Sequence, residues 1–500
     1  MTKHFKAIII GAGQAGPALA AALSNKGQKV ALIEGHLIGG SCVNVGCTPT
    51  KTLRKSAKVA HQVKNAAKFG VIINGYKVDF AKVMQRMHEL VENSRAGLKG
   101  WLEDQENIEL IQGWGSFVKH QDNLFTIAAG GAEYSCEQVY INTGTRAFIP
   151  PIKGLKSIPY LDNVSLLALK QCPEHLIIIG GSYIGLEMGQ IFSRLGAKVS
   201  IVEAGARIAS REDEKTSQIL NDVFEAEGIK IYKGSPISKA EKPTLKTENN
   251  DKTVSLTLEN GVKISGSHIF VATGRTPNSD RLNTEAIGLK TDKFGYLPTD
   301  EQLKTNVKGV WALGDINRRG AFTHTSYHDH EIVLAHMGEM AHMDDFSQKL
   351  RPQPLHQWQD ADQRPMSYAL FTDPPLGRVG MSLADAHQAA SQGKNILIST
   401  RDMNDIGRAR EEGETTGFIR LIVDADSEQF LGATIFGIGG DEIIAVITNY
   451  MATGASYKYM QQALPVHPTV AEFLPTILTN LTPLSGSTSQ DTSTALCPPV

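Results

Sequence analysis

Short apolar runs alternate with stretches of helical periodicity at two places in the chain. In residues 6–34 an apolar run ends in a glycine-rich turn, and an alanine-rich stretch and a second apolar run follow. Residues 176–203 repeat this order. Strands separated by helices predict parallel sheets built from βαβ units, so we expect an α/β fold.

The first turn has the spacing of a dinucleotide-binding loop. Gly11, Gly13 and Gly16 directly follow the first predicted strand. In such loops the first glycine allows a tight turn, the second lets the backbone approach a pyrophosphate, and the third lets helix and strand pack closely. Glu34 ends the second predicted strand, where a carboxylate can accept hydrogen bonds from ribose hydroxyls.

The second turn copies the first with one change. Gly180, Gly185 and Glu203 each stand 169 positions after Gly11, Gly16 and Glu34, and Ser182 replaces the middle glycine. Each unit is closed by a hairpin-like segment, at 124–146 and at 254–275. The sequence therefore predicts two dinucleotide-binding units, with one working unit and one decayed copy as the alternative.

The remaining pattern predicts further helices, one more strand and a third domain. Helices are expected at 50–69, 79–100 and 322–342, and a strand that ends in Gly-Asp is expected at 305–315. Residues 343–366 are polar and contain three prolines, which favours a linker or insertion. Residues 367–478 mix strands and helices without a glycine loop, and the Ser/Thr-rich tail that follows is expected to be disordered.

Composition excludes several classes of protein. With 500 residues we expect about three domains. The net charge of −2 gives no indication of nucleic acid or an anionic membrane as a partner. No apolar run reaches the ~18 residues of a membrane span, and the N-terminus lacks the layout of a signal peptide. Five cysteines do not make a disulfide-rich secreted framework, so a reducing cytoplasm is expected.

Two of the cysteines form a candidate redox pair, whereas Cys136, Cys172 and Cys497 are isolated. Cys42 and Cys47 stand five positions apart. In an ideal helix that spacing puts the Cα atoms roughly 8.7 Å apart, whereas a disulfide needs about 4.4–6.8 Å. If the pair bonds, the helix start must therefore be distorted, which Gly46 and Pro49 would allow.

A group of histidines could suggest a metal. His324 and His328 have i,i+4 spacing, and His330, His336 and His342 follow them. No Glu or Cys completes a recognisable metal signature, so a structural or cofactor-adjacent helix is favoured and no metal is predicted.

Five motifs together resemble the class I flavoprotein disulfide reductases, or pyridine nucleotide-disulfide oxidoreductases. These motifs are the two glycine loops, the CxxxxC segment at 39–51, Ala-Leu-Gly-Asp at 312–315 and His-Pro-Thr at 467–469. The resemblance implies FAD, NAD(P)H and a homodimer whose active sites include residues of both subunits. It implies these divisions: FAD-binding parts at 1–150 and 276–345, an NAD(P)-binding domain at 151–275, a linker at 346–366, a dimerisation domain at 367–480 and a tail at 481–500.

The resemblance also assigns roles in catalysis. Cys47 would face the flavin, and Cys42 would exchange with substrate. Lys51 would lie beside the flavin's reactive nitrogens, with Glu187 as its carboxylate partner. Tyr183 would cover the nicotinamide pocket until the coenzyme displaces it.

The late motif supplies the acid–base pair. His467 would take the proton from Cys42, because the thiolate is the nucleophile. Glu472 would orient the imidazole, as a buried acid does behind a catalytic histidine. In the family this histidine comes from the partner subunit.

Further residues match cofactor contacts of the family. The FAD set is Gly11, Gly13, Gly16, Glu34, Ser41, Lys51, Gly115, Thr143, Gly144, Asp315 and Thr323. The NAD(P) set is Gly180, Ser182, Gly185, Glu203 and Gly274.

The implied function is an NAD(P)H:disulfide oxidoreductase, with electrons passing from NAD(P)H to FAD, to the Cys42–Cys47 disulfide and to a thiol- or disulfide-type substrate. Glu203 favours NADH because a carboxylate repels a 2′-phosphate, although Arg207 and Arg211 could reach one.

The substrate stays open. The redox segment has the sequence Cys-Val-Asn-Val-Gly-Cys, which is most similar to that of mercuric reductases. Those enzymes carry a metal-binding N-terminal domain, a C-terminal cysteine pair and tyrosine at the position of His467, whereas this chain has Cys497 alone in its tail. A mercuric-reductase-like disulfide reductase is therefore favoured, with dihydrolipoamide dehydrogenase as the alternative. A flavin-dependent oxidase or quinone reductase, or a flavoprotein without catalysis, is less favoured.

Overall fold

A computed structural model describes residues 2–242, 253–337 and 360–484 of the chain. The chain forms two compact units. Unit 1 comprises residues 1–210 and 220–364, and unit 2 comprises residues 211–219 and 365–500. The two units are described separately below.

Unit 1 begins with a seven-stranded sheet that contains the first glycine loop. Its strands and the adjoining helices, in chain order, are β1 (Lys3–Ile10), α1 (Ala15–Ser24), β2 (Val30–Glu34), α2 (Gly40–Val45), α3 (Cys47–Asn65), α4 (Phe80–Glu103), β3 (Ile108–Gln112), β4 (Ser116–Gln121), β5 (Leu124–Ala129) and β6 (Ala132–Ile141). The order of six of its strands is β3-β2-β1-β6-β5-β4, and the seventh strand, which comes later in the chain and is described below, pairs with β6. β2 and residues 7–10 of β1 are buried almost throughout, as expected for parallel strands covered on both faces.

The chain then forms a second, smaller parallel sheet around the second glycine loop. The elements are β7 (Thr145–Ala147), α5 (Asn163–Leu166), β8 (His175–Ile179), α6 (Tyr183–Arg194), β9 (Lys198–Val202), α7 (Glu214–Ala226, of which residues 220–226 belong to unit 1), β10 (Lys230–Tyr232), β11 (Ile237–Glu241), β12 (Val254–Leu258), β13 (Lys263–Gly266), β14 (His268–Val271) and β15 (Arg275–Pro277). The sheet order is β10-β9-β8-β14, and β11, β12 and β13 form an antiparallel sheet of their own. Two separate glycine-loop sheets confirm the predicted repeat at the level of the fold.

Unit 1 closes by returning to the first sheet. β16 (Val310–Ala312) pairs in parallel with the end of β6, and α8 (Thr323–His336) follows. The predicted strand at 305–315 is thus too long, because residues 305–309 form a turn that is closed by a hydrogen bond from Val310 N–H to Val307 O. The end of the predicted helix 322–342, including His342, lies outside the described residues, as does most of the predicted linker.

Unit 2 is built on an antiparallel sheet. Its elements are β17 (Ser367–Leu370), β18 (Leu376–Gly380), α9 (Leu383–Ser391), β19 (Ile396–Asp402), α10 (Gly407–Glu411), β20 (Phe418–Asp424), β21 (Phe430–Phe436), α11 (Gly440–Thr453), α12 (Tyr457–Gln461), α13 (Phe473–Leu478) and β22 (Thr482–Pro483). The sheet order is β17-β18-β21-β20-β19-β22. Ile444 and Ile447 of α11 share a buried core with Ala433 and Ile435 of β21. The mixed α+β pattern predicted for 367–478 is confirmed, and the tail beyond Leu484, with Cys497, lies outside the described residues.

Within the described ranges, every helix is too short or too polar to cross a membrane.

Candidate active site

The first glycine loop lies where the parallel strands β1, β6 and β16 end. Gly11 has φ +105°, and a Cβ there would lie 2.3 Å from Asn142 O at the end of β6. A Cβ on Gly16 would lie 2.3 Å from Gly11 O. Only glycine fits either position, so the loop keeps its N–H groups close to the start of α1, where an anion is favoured.

The second loop repeats this geometry. Gly180 has φ +109°, and a Cβ there would lie 2.5 Å from Ala272 O. A Cβ on Gly185 would lie 2.0 Å from Gly180 O. The predicted correspondence of the two loops therefore extends to their backbone contacts.

The structure explains the one glycine that differs. A Cβ on Gly13 would lie 2.7 Å from the side-chain Oδ1 of Asn142. At the corresponding place in the second unit stands Ala272, which has no such side chain, so Ser182 fits where Gly13 must be glycine. This difference does not indicate a decayed copy.

Sequence reasoning missed Asn142. Its buried amide accepts a hydrogen bond from Gly16 N–H (3.1 Å) and donates one to Leu313 O (2.8 Å). It therefore joins the ends of β6 and β16 to the glycine loop. A polar residue inside an apolar strand end was the only sequence signal.

The two strand-end carboxylates have matching roles. Glu34 accepts hydrogen bonds from the N–H groups of Ala12 (2.8 Å) and His36 (2.7 Å). Glu203 accepts from Gly181 (2.7 Å) and Gly205 (2.6 Å). Each carboxylate thus stands beside its glycine loop, and carboxylate oxygens retain lone pairs for a ribose hydroxyl.

Asp315 follows β16 and is held in a partly buried polar cluster. Thr145 Oγ1 donates to its carboxylate (3.0 Å), and Arg275 Nε donates to that same hydroxyl oxygen (2.9 Å). Burial raises the pKa of Asp315, and the Arg275 guanidinium opposes this effect. Two residues before Thr145, the buried Thr143 Oγ1 has no hydrogen-bond partner among the described residues.

These features fit FAD. The glycine cradle suits a pyrophosphate, Glu34 suits the ribose, and the orphaned Thr143 hydroxyl can bond a polar ligand group. Three other predicted FAD residues, Gly144, Gly115 and Ser41, have different environments. Gly144 follows β6 with φ +61°, a Cβ on Gly115 would lie 2.9 Å from the Ile10 side chain, and Ser41 is exposed on α2.

The redox segment directly contacts the glycine loop. Gly39 N–H bonds to Ala12 O (2.8 Å), and a Cβ on Gly40 would lie 2.9 Å from Gly13 Cα. Asn44, which sequence reasoning also missed, ties the segment down by donating to Ile38 O and Gly40 O, both at 2.9 Å.

The predicted distortion between the two cysteines is confirmed. The helix stops at Val45 and restarts at Cys47, with Gly46 between them at φ −134° and ψ −114°. A Cβ on Gly46 would lie 2.7 Å from Ser41 O, so glycine is needed here. Cys42 and Cys47 are both free thiols, which corresponds to the reduced state of the pair.

The two thiols differ strongly in acidity. The pKa of Cys47 is lowered to about 6, chiefly by a hydrogen bond from Cys42 and also by Thr323 and the positive charge of Lys51, against the effect of burial. The same hydrogen bond raises the pKa of Cys42. The proton therefore stays on Cys42 and the negative charge lies on Cys47 above about pH 6.

Side chains from three helices create this environment. Thr323 Oγ1, at the start of α8, lies 3.1 Å from Cys47 Sγ. Lys51 Nζ, one turn along α3, donates to Glu187 of α6 (2.8 Å). Tyr183, the predicted nicotinamide cover, begins α6 one turn before Glu187 and is half-buried. The structure thus brings Cys42, Cys47, Lys51, Glu187 and Thr323 together.

The late histidine lies in unit 2 and is paired as expected. His467 Nδ1 lies 2.9 Å from the Glu472 carboxylate, and its side chain is 81% exposed. Thr469 Oγ1 accepts from Glu472 N–H (3.2 Å) and donates to Val466 O (2.8 Å), which fixes the turn. Nδ1 thus faces the acid, and Nε2 is left for proton transfer.

The remaining cysteines and histidines have other environments. Burial raises the pKa of Cys136 to about 12 and of Cys172 to about 11, so both are protonated at neutral pH. His324 stacks on Phe322, and His336 pairs with Asp360 (2.8 Å). Over the described ranges, no cluster of three metal-ligating side chains was found.

The Thr323 contact yields a prediction. Thr323→Val in a Cys42→Ser background removes a hydrogen bond to the Cys47 thiolate, worth about 1.5–3 kcal/mol, and should raise its pKa by about 1–2 units. Iodoacetamide alkylation of Cys47 against pH, read by mass spectrometry, measures this. The control is Thr48→Val, because Thr48 follows Cys47 in sequence and its hydroxyl makes no hydrogen bond within the described ranges. Equal profiles for both variants would contradict the assigned contact.

Comparison with known proteins places the chain in a family. The profile described as pyridine nucleotide-disulphide oxidoreductase matches residues 5–331, and that of the family's dimerisation domain matches residues 366–477. The probable pyridine nucleotide-disulfide oxidoreductase RclA of Escherichia coli (strain K12) is 30% identical, over 94% of this chain and 98% of its own length. A dihydrolipoyl dehydrogenase of Chlamydia muridarum is 29% identical over 94% and 96%. A mercuric reductase of Lysinibacillus sphaericus is 28% identical over 94% and 81%.

Solved structures agree with this placement. The HOCl-induced flavoprotein disulfide reductase RclA from Escherichia coli has a TM-score of 0.81 at 29% identity, over 95% of this chain and 100% of its own. LpdA from Mycobacterium tuberculosis has the same TM-score at 19% identity, which shows the fold alone. The predicted α/β fold, with dinucleotide-binding domains and a C-terminal dimerisation domain, is confirmed. The chain therefore belongs to the pyridine nucleotide-disulphide oxidoreductase family of FAD-dependent, pyridine nucleotide-using enzymes.

Proposed function

We propose that this enzyme is an NAD(P)H:disulfide oxidoreductase that passes electrons through Cys42 and Cys47 to a thiol- or disulfide-type substrate. The unequal acidity of the two thiols is the observation that carries the proposal. The low pKa of Cys47, about 6, provides a stable thiolate, whereas Cys42 keeps its proton until a base removes it. A pair with one charged and one protonated sulfur suits a dithiol in which each sulfur has a separate task.

We propose that residues 1–150 and 276–345 hold FAD and that residues 151–275 hold the nicotinamide coenzyme. The Gly11–Gly16 loop, Glu34, Thr143 and Asp315 would hold FAD, which when bound supplies a two-electron carrier between coenzyme and dithiol. The Lys51 ammonium, fixed by Glu187, would favour negative charge at the isoalloxazine. Gly180, Ser182, Gly185, Glu203 and Gly274 would hold the coenzyme.

The thiol chemistry follows from the acid–base groups. His467 takes the proton from Cys42, whose thiolate then attacks the sulfur of the substrate, and the protonated imidazole returns the proton to the leaving sulfur. Glu472 holds the ring through Nδ1 and stabilises its cation. The dimerisation domain indicates a homodimer, in which the histidine of one subunit would serve the thiols of its partner.

We favour a mercuric-reductase-like disulfide reductase over a dihydrolipoamide dehydrogenase. The amino-acid sequence of the redox segment supports a mercuric-reductase-like enzyme, and the His467–Glu472 pair suits disulfide exchange in either enzyme. Relatives of both names match along most of the chain, and RclA has also been solved as a Cu(II) complex. Thiophilic metal ions therefore belong in any substrate test.

We further propose NADH as the preferred coenzyme and the cytoplasm as the compartment. Glu203 is fixed beside the second glycine loop, where it would repel a 2′-phosphate. Arg207 donates to Ser210 O (3.2 Å) within its own loop. A chain of 500 residues with only five cysteines suits a reducing compartment.

The role of Cys47 can be tested by absorbance. Stopped-flow reduction by NADH should produce a long-wavelength band from the Cys47 thiolate beside the oxidised flavin, and Cys47→Ser should lack that band. Cys172→Ser, which changes a thiol outside the pair, should keep it. A band in Cys47→Ser would overturn the assignment, and full turnover by Cys42→Ser would favour an oxidase or quinone reductase.

The base can be tested by separating half-reactions. His467→Ala should slow turnover with a disulfide substrate about 10²–10⁴-fold, the range for general acid–base catalysis. Reduction of the bound flavin by NADH should be unchanged. Glu472→Gln should give a smaller loss, and the exposed His120→Ala none. If His467→Ala kept full turnover, another base would have to be assigned.

A substrate panel tests specificity. NADH and NADPH should be compared with oxidised glutathione, oxidised lipoamide, Hg(II), Cu(II) and quinones, and with dihydrolipoamide and NAD⁺ in reverse. We expect NADH-dependent reduction of a disulfide to have the highest kcat/KM. A large preference for NADPH would refute the coenzyme proposal, and a dominant reverse reaction would establish the dihydrolipoamide alternative.

A further inference from the structure

A polar row crosses the sheet of unit 2 on one face. Tyr368 of β17 is the register partner of Arg378 of β18, which is opposite Thr434 of β21. Thr434 is opposite Arg420 of β20. Directly paired residues point to the same face of a sheet, so the row places two arginines on one buried surface.

Glu212 binds one half of this row. Glu212 is only 2% exposed, and its carboxylate accepts a hydrogen bond from Tyr368 Oη (2.6 Å) and one from Arg378 Nη1 (3.2 Å). Arg378 Nη1 also lies 3.0 Å from Tyr368 Oη and donates to the backbone oxygen of Arg211 (3.4 Å). The three side chains thus satisfy one another away from water.

Asp213 binds the other half. Arg420 Nη1 donates to its carboxylate (2.7 Å), and the arginine side chain is only 4% exposed. Next along the segment, Lys215 pairs with Asp402 (2.7 Å), but both side chains are about half exposed. Glu212 is therefore a buried anchor and Asp213 a half-buried one, whereas the following ion pair is a surface contact.

Removing the acid that pairs with either buried arginine costs a large free energy. An uncompensated charge in a desolvated site is strongly unfavourable, whereas an exposed pair contributes little. The segment that begins at Arg211 is consequently held in place on the sheet of unit 2.

The anchored segment directly continues a loop that carries the coenzyme candidates. The loop starts at Glu203, whose carboxylate bonds to Gly181 N–H, and Ala209 N–H returns to Gly181 O (2.8 Å). Arg207 lies within the loop, and Ser210 joins it to Arg211. One end of the loop is thus hydrogen-bonded to the second glycine loop, and the other end continues into Glu212 and Asp213.

We propose that Glu212 and Asp213 are positioning residues for coenzyme binding, which hold the 203–211 loop in the conformation that receives the adenosine ribose of NAD(H). The inference rests on the proposed function of the second glycine loop. These acids act through the backbone and touch neither coenzyme nor dithiol. Their loss should weaken binding while leaving the flavin and thiol chemistry intact.

The test uses the FAD-loaded enzyme with Glu212→Gln and Asp213→Asn. Calorimetric titration with NAD⁺ should show a Kd about tenfold weaker, and KM for NADH should rise to a similar extent while kcat and the flavin spectrum stay unchanged. Tyr368→Phe, which removes one hydrogen bond to Glu212, should shift Kd in the same direction by a smaller factor. Arg378→Lys, which keeps the charge, should weaken binding less than Glu212→Gln.

Two controls separate positioning from general destabilisation. Lys215→Ala removes the exposed pair of the same segment and should leave Kd unchanged. Ile447→Ala removes a buried side chain from the core of unit 2 and should lower Tm without changing Kd. If wild type binds NAD⁺ and the anchor variants bind it equally well, the inference fails and the proposed function stands. If wild type itself binds no NAD⁺ or NADP⁺, both fail.

Discussion

Two sulfur atoms that share one proton unequally are the constraint on which the site depends. The charge can rest on Cys47 because a thiol donor, a hydroxyl and an ammonium surround it, and these come from the redox segment, α8 and α3. Lys51 is held in turn by Glu187 from the helix of the second glycine loop. The acidity of one cysteine thus depends on packing between the two dinucleotide-binding parts of unit 1.

Close backbone approaches are the second requirement of this arrangement. The redox segment contacts the first glycine loop through Gly39 and Gly40, which leave no room for side chains. Asn142 then connects that loop to the strand that precedes Asp315. Groups more than a hundred residues apart in sequence meet because the parallel strands end at one edge of a sheet.

The sequence predicts repeated and periodic features well and contacts made through single polar side chains poorly. Both glycine loops and the break at Gly46 follow from spacing, because turn geometry and helix periodicity are local, whereas the His467–Glu472 pair follows only from the family resemblance. Asn142 and Asn44 could not be assigned, since most of their partners are backbone atoms whose positions only the fold determines. The strand at 305–315 came out too long because apolar character alone does not reveal the turn that occupies its first half.

The placement of residues 211–219 has a consequence for dividing the protein into fragments. A fragment that begins at Pro365 would contain Arg378 and Arg420 but neither of the acids that pair with them, Glu212 and Asp213. The C-terminal domain is therefore contiguous in sequence but not self-sufficient in charge. Excising it, or exchanging it with that of a relative, requires that the Glu212-Asp213 dipeptide be supplied with it.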